Sequence, residues 1–145
     1  MKTITDLFDE AWKKKEQRGW ELVYIMVDLH GVVLPPNYHK HNDLQFISPH
    51  AEECLRYLTE QEDVCLILWS SSHVEEILNV RQWLAHRRVF FSFVNENPLE
   101  KNTEYADFTK KPYFSIVLDD KAGFEPDDWE DVEVWMTRRE MFKMK

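Results

Sequence analysis

The run Tyr24-Ile25-Met26-Val27-Asp28-Leu29-His30-Gly31-Val32-Val33 constrains this chain more than any other stretch. Apolar residues, some β-branched, lead directly into an acid, and a glycine follows three residues later. That pattern predicts a buried strand over Leu22 to Leu29 with a carboxylate at its carboxyl end. The loop after it needs a permissive backbone. In open α/β sheets, ligands bind beyond the carboxyl ends of strands. A strand end also holds a reacting group rigidly.

The rest of the chain alternates in period around that strand. Thr3 to Arg18 predicts a helix, because Leu7 with Ala11 and Phe8 with Trp12 share a face. Lys13-Lys14-Lys15 suits the negative end of that helix better than it suits a nucleic-acid patch, and Gly19 is placed to end it. Ser48-Pro49 is a helix start. Val64 to Trp69 reads as a central strand ending in Ser70-Ser71-Ser72. Ser72 with Glu75 has capping-box spacing for a helix from His73 to His86. Val89 to Val94 reads as a third strand, followed by the polar stretch Asn95-Glu96-Asn97-Pro98 and a helical turn near Tyr105. Phe114 to Asp120 reads as a fourth strand that again ends in acids. Val132 to Met136 reads as a short fifth, with Thr137 capping a last turn or two through Phe142. This alternation predicts an α/β fold: a Rossmann-like three-layer α/β/α sandwich on a mostly parallel five-stranded sheet. Right-handed crossovers would gather every strand's carboxyl end on one edge.

Residues 31–47 show no helical period and contain the turn signal Pro35-Pro36-Asn37, so they read as a surface flap. His39 and His41 would face one side of an extended segment, but no third metal ligand accompanies them. The flap is too short to be a separate cap domain. With 145 residues, 43% of them hydrophobic, the chain reads as one domain, 1–145, with a real core. The net charge of −9 argues against electrostatic capture of nucleic acid. A nucleic-acid end phosphate stays open as substrate if a metal neutralises the site. Cys54 and Cys65 read as core thiols. No signal-peptide core or membrane-length apolar run is seen, so a reducing, cytoplasmic setting without membrane contact is expected. Trp83, Trp129 and Trp135 are candidate exposed contacts, with homo-oligomerisation left open.

The predicted topology brings chemistry to one edge. Asp28, Ser70 and Asp119-Asp120 each follow a separate strand, and Lys110-Lys111 precedes the fourth. Singly, each has an ordinary explanation as a cap, a turn former or a charged loop. Together they put three carboxylates, a hydroxyl and an amine within one site. Two carboxylates ~5 Å apart at an effective dielectric of ~20 repel by roughly 3 kcal/mol. Such a cluster calls for a cation, and hard oxygen ligands beside a phosphate suit Mg²⁺. One acid could then attack phosphorus while the metal and the lysine neutralise phosphoryl charge.

The order Asp28, Ser70, Lys111, Asp119-Asp120, each at a strand boundary, resembles the four motifs of the haloacid dehalogenase superfamily of phosphohydrolases. The likeness spans about Leu22 to Met136, and Lys111 to Ala122 is similar to a group of short phage and bacterial members. The resemblance implies a capless member that acts on exposed phosphates of large substrates or borrows a neighbouring subunit as a lid. It implies Mg²⁺-dependent phosphomonoester hydrolysis through an aspartyl-phosphate on Asp28. Ser70 would hydrogen-bond the phosphoryl group, and Lys111, or else Lys110, would steady it. Asp28, Asp119, Asp120 and the His30 backbone carbonyl would hold the metal. The flap, with Tyr38, His39 and His41, would face the substrate. One position departs: the family's phosphatases usually carry an aspartate acid where this chain has His30. Imidazole can donate a proton near neutral pH, but a nearby Mg²⁺ disfavours the imidazolium that donation requires. His30 is therefore either a substitute acid or the mark of a non-catalytic or weakly active phosphate-binding module. A phospho-accepting signalling receiver fits less well, because receivers carry an acid pair on their first strand and their lysine last.

Overall fold

The computed structural model describes residues 2–36, 44–96 and 114–144. Helix α1 (Ile4–Arg18) opens with a capping box between Thr3 and Asp6 and closes at Gly19, whose φ of +68° is left-handed. Then follow β1 (Val23–Asp28), α2 (Pro49–Glu60), β2 (Val64–Trp69), α3 (Val74–Ala85), β3 (Phe93–Val94), β4 (Ile116–Leu118) and α4 (Asp128–Lys143), with a single 3₁₀ turn, Asp120–Ala122, between β4 and α4. Ser48 caps α2 by accepting from the His50 amide, with Pro49 at the first helical position, as its sequence predicts.

The four strands run parallel in the order β3-β2-β1-β4. The chain steps outward from β1 to β3 and then crosses to the other side of β1 to make β4. The strand order therefore reverses between β1 and β4, which is where an open α/β sheet offers a crevice. The expected α/β class with a parallel, Rossmann-like sheet is present, with four strands among the described residues in place of five.

Strand alternation divides the sheet into two faces. Val23, Ile25 and Val27 of β1, with Leu66, Leu68, Ile116 and Leu118, join the buried faces of α1, α2, α3 and α4 in the main core. Tyr24, Cys65 and Ile67 form a smaller cluster on the opposite face, with Trp69, Phe93 and Phe114 packed against it. Among the described residues no helix contributes to that second cluster. Cys54 and Cys65 are both buried free thiols, one in each cluster. No helix among the described residues is long and apolar enough to cross a membrane.

Four expectations are corrected. Val132 to Met136 is the interior of α4, not a fifth strand, and Thr137 lies inside that helix instead of capping another. Trp129, Val132 and Trp135 recur every three residues and all face the core, while Val134 is exposed. The helical period of burial overrides the strand preference of valine and tryptophan. The third strand shrinks to Phe93–Val94: Val89 and Phe91 are buried but lie outside the ladder. The capping box at Ser72 is absent, since α3 follows His73 with no side-chain cap bond. Trp129 and Trp135 are core residues, and Trp83 is half-buried under Arg87 and beside Phe46, so none of the three is the open contact expected.

The start of the flap is also internal. Val32, Val33 and Leu34 are fully buried, and the Trp129 indole donates to the Val32 carbonyl at 2.8 Å. The Ile47 amide donates to the Val33 carbonyl and ties the far end of the segment to its beginning. Tyr38, His39 and His41 lie outside the described residues.

Candidate functional site

Strand register makes the site. Asp28 on β1 pairs with Trp69 on β2, and Val27 pairs with Leu118 on β4. One step further along that register puts Asp119 beside Asp28, at the point where strand order reverses. Asp119 is extended and caps the 3₁₀ turn, accepting from the Lys121 amide at 2.9 Å. The turn carries Asp120 back over the loop after β1, against Gly31. Gly31 has φ +88°, and a Cβ there would overlap the Asp120 carboxylate. That glycine is needed both for its backbone angle and for its missing side chain.

Carboxylate oxygens of Asp28, Asp119 and Asp120 all lie within 4.8 Å of one another. Asp28 and Asp119 are half-buried, while Asp120 is exposed. Burial pushes the Asp28 carboxyl up to about 6, and the charge of Asp119, a hydrogen bond with Asp120 and the Asp120 charge push the same way. The crowding of acids at this edge thus disfavours the Asp28 anion. Their hard oxygen donors suit an octahedral divalent cation that keeps part of its water.

Ser70 follows Trp69 directly and is the one buried polar residue among the described residues, at 8% exposure. Its hydroxyl accepts from the Ser72 amide at 3.1 Å. Its backbone is held by Asn95: the Ser70 amide donates to Asn95 Oδ1 at 2.8 Å, and Asn95 Nδ2 donates to the Ser70 carbonyl at 2.8 Å. His30 reaches across to the start of α3. Its Nε2 lies 3.0 Å from Ser72 Oγ and 3.3 Å from Glu76 Oε1. Ser72 therefore meets a side chain from the loop after β1 instead of capping its own helix.

Asp28, Asp119 and Asp120 are brought together as the sequence predicted. Ser70 and His30 stand at the same carboxyl edge. Lys110 and Lys111 lie outside the described residues. Sequence reasoning missed Asn95, Glu76 and the dependence of Asp120 on Gly31. Asn95 carried a usable signal, since asparagine after a strand is a residue that tolerates a left-handed backbone. Glu76 carried none, because its role depends on where His30 turns.

No protein-family model matches this chain, and no curated protein matches it. Among solved structures, the chain is similar to a conserved protein from Bacteroides thetaiotaomicron. The two are 27% identical with a TM-score of 0.59, over 81% of this chain and 92% of that one. That protein is described only as conserved, so the likeness bears on the fold and leaves the chemistry to the residues.

Proposed function

We propose that this chain is a Mg²⁺-dependent phosphomonoester hydrolase of haloacid dehalogenase type, acting through an aspartyl-phosphate on Asp28. The observation that carries the reading is the meeting of the Asp28, Asp119 and Asp120 carboxylates at the sheet's switch point. The fuller fold expectation, a domain of that type without a cap, belongs to the same proposal, and so does a cytoplasmic setting. Among the described residues every helix packs on one face of the sheet, so the expected three-layer α/β/α sandwich has no helix for its third layer there.

Asp28, Asp119, Asp120 and the His30 carbonyl would hold Mg²⁺, which when bound supplies positive charge against the acids and the phosphoryl oxygens. An Asp28 carboxylate oxygen attacks phosphorus, the ester P–O bond breaks, and the leaving alkoxide takes a proton. His30 is the proton donor by position. Ser70 donates its hydroxyl proton to a phosphoryl oxygen while its oxygen accepts from Ser72, and Lys111 adds a cation. Water then hydrolyses the acyl-phosphate, releasing phosphate and restoring the Asp28 carboxylate. The substrate is a phosphate monoester accessible without a cap, from a small molecule to a nucleic-acid end, and a neighbouring copy could serve as lid.

A second reading, a phosphate-binding module with weak or no turnover, has one observation in its favour. His30 Nε2 is already engaged by Ser72 and Glu76. Incubation with Mg²⁺ and p-nitrophenyl phosphate separates the two. Turnover that disappears in Asp28→Asn supports the hydrolase; phosphate binding without turnover supports the module. A long-lived phospho-Asp28 would point instead to a receiver.

A further inference from the structure

We infer that Asn95 is a positioning residue that sets the phosphate-gripping geometry of Ser70; this rests on the phosphotransfer reading above. The ladder between β2 and β3 ends early. Leu68 pairs with Val94, and the Asn95 amide donates to the Leu68 carbonyl at 2.9 Å. At Asn95 the backbone then turns away, with φ +52°. Ser70 is left beyond the last backbone rung, at the edge of a buried strand, with an amide and a carbonyl to satisfy.

The Asn95 carboxamide satisfies both. It accepts from the Ser70 amide and donates to the Ser70 carbonyl, each at 2.8 Å. Those are the two bonds a neighbouring strand would have made, so the side chain stands in for one more rung of sheet. The left-handed backbone is what aims the carboxamide back at β2, and asparagine is among the few residues besides glycine that adopt it readily. Fixing both polar groups of the Ser70 peptide fixes the direction of its Cα–Cβ bond. The Ser72 amide on Ser70 Oγ then holds the hydroxyl oxygen, leaving its proton to point to the ligand. Asn95 lies on a different strand connection from the three acids, so its effect should fall on the phosphoryl group and not on the metal.

The test uses the full chain with Mg²⁺ alone, and with Mg²⁺ plus beryllofluoride as the aspartyl-phosphate mimic. Asn95→Gly keeps the left-handed backbone and removes the carboxamide. Asn95→Asp keeps the shape and the acceptor but cannot donate to the Ser70 carbonyl. Both variants should expose the Ser70 amide or loosen its peptide, read as faster amide hydrogen exchange than in the parent, with Asn95→Gly the faster. Mg²⁺ affinity should stay within about twofold, while beryllofluoride affinity falls about tenfold, the loss expected from one misaligned hydrogen bond. Equal beryllofluoride affinity in parent and variants overturns the role of Asn95 and leaves the proposed function standing. Parallel loss of Mg²⁺ and beryllofluoride binding also overturns it, because the effect would then be general loosening. A parent that binds Mg²⁺ but no beryllofluoride overturns the phosphotransfer reading, and this inference with it.

Discussion

At the scale of single residues, the site is poised by charges that oppose one another. Asp28 titrates near 6 in the folded protein because burial and two neighbouring acids disfavour its anion. An acid raised in the fold binds its proton more tightly there than in the unfolded chain, so its favourable contribution is complete below the unfolded value near 3.8 and is lost as pH rises through about 6. The difference is worth at most about 3 kcal/mol. For a half-buried carboxyl, solvent screening reduces it to on the order of 1 kcal/mol. Metal-free protein should therefore lose stability between pH 4 and 6 from this source, and Asp28→Asn should remove that slope. At pH 7 without metal, Asp28→Asn should melt about 3 °C higher; an unchanged or lower melting temperature would deny the crowding. His30 makes a separate, kinetic prediction. If the imidazole serves as a poor acid, His30→Asp should raise turnover of p-nitrophenyl phosphate, up to about 100-fold, and His30→Ala should lower it. Equal rates for His30→Ala and the parent would remove the side chain from the chemistry.

At the scale of elements, the loop after β1 is where two layers of the fold lock the site. Trp129 of α4 is fully buried, donates to the Val32 carbonyl at 2.8 Å and meets Phe124 edge-on. Gly31, one residue earlier, makes room for Asp120. Trp129→Phe keeps most of the packing but strands the Val32 carbonyl, so it should cost about 1–3 kcal/mol in chemical denaturation. Gly31→Ala meets both a positive φ and the Asp120 carboxylate. It should weaken Mg²⁺ binding measured by calorimetry; retained affinity would mean that Asp120 is not a ligand. These two examples also show what was legible in sequence. β1, β2 and their terminal acid and serine were readable because each strand is short, nearly all apolar and abruptly ended. Helix α1 was readable from its apolar spacing and its closing glycine, and α2 from its Ser48-Pro49 start. Helix α4 was not, because its buried Trp129, Val132 and Trp135 are interleaved with β-formers and acids, and strand propensity masked the period. The Asp119–Asp120 pair was readable as acids at a strand end, but its geometry was not. Two consecutive residues in a strand would face opposite sides, and only the 3₁₀ turn brings both carboxylates to Asp28.

At the scale of the whole molecule, the domain concentrates electrostatic tension at one edge of the sheet and a tight polar joint at the other. Asp63 immediately precedes β2, at the amino edge, where its carbonyl also accepts from the Val23 amide. Its carboxylate takes the Trp12 indole at 2.7 Å and Arg139 Nη2 at 3.0 and 3.1 Å. The guanidinium lies over Trp12 and Trp135, 4.8 and 5.5 Å from the ring centroids. One residue thus ties α1, α4 and the start of β2 together. Burial raises the Asp63 carboxyl, but the bonds from Trp12 and Arg139 and the Arg139 charge outweigh it and hold the group below its ordinary value. A depressed acid stabilises the fold above its unfolded value near 3.8, and that contribution is lost as pH falls through the lower folded one. Asp63→Ala would leave a largely buried guanidinium and an indole N–H without their acceptor. The loss should be about 3 kcal/mol at neutral pH, near the lower end for breaking a buried pair, since both partners keep some solvent contact. It should shrink in strong acid, where the parent has lost the same interaction. Because the joint and the acids stand at opposite ends of β1 and β2, Asp63→Ala should leave Mg²⁺ affinity unchanged wherever the variant is still folded. Denaturation curves at pH 7 and pH 3, with Mg²⁺ titration of the folded variant, check all three parts. A fall in metal affinity that tracks the fall in stability would mean that the two edges are not independent.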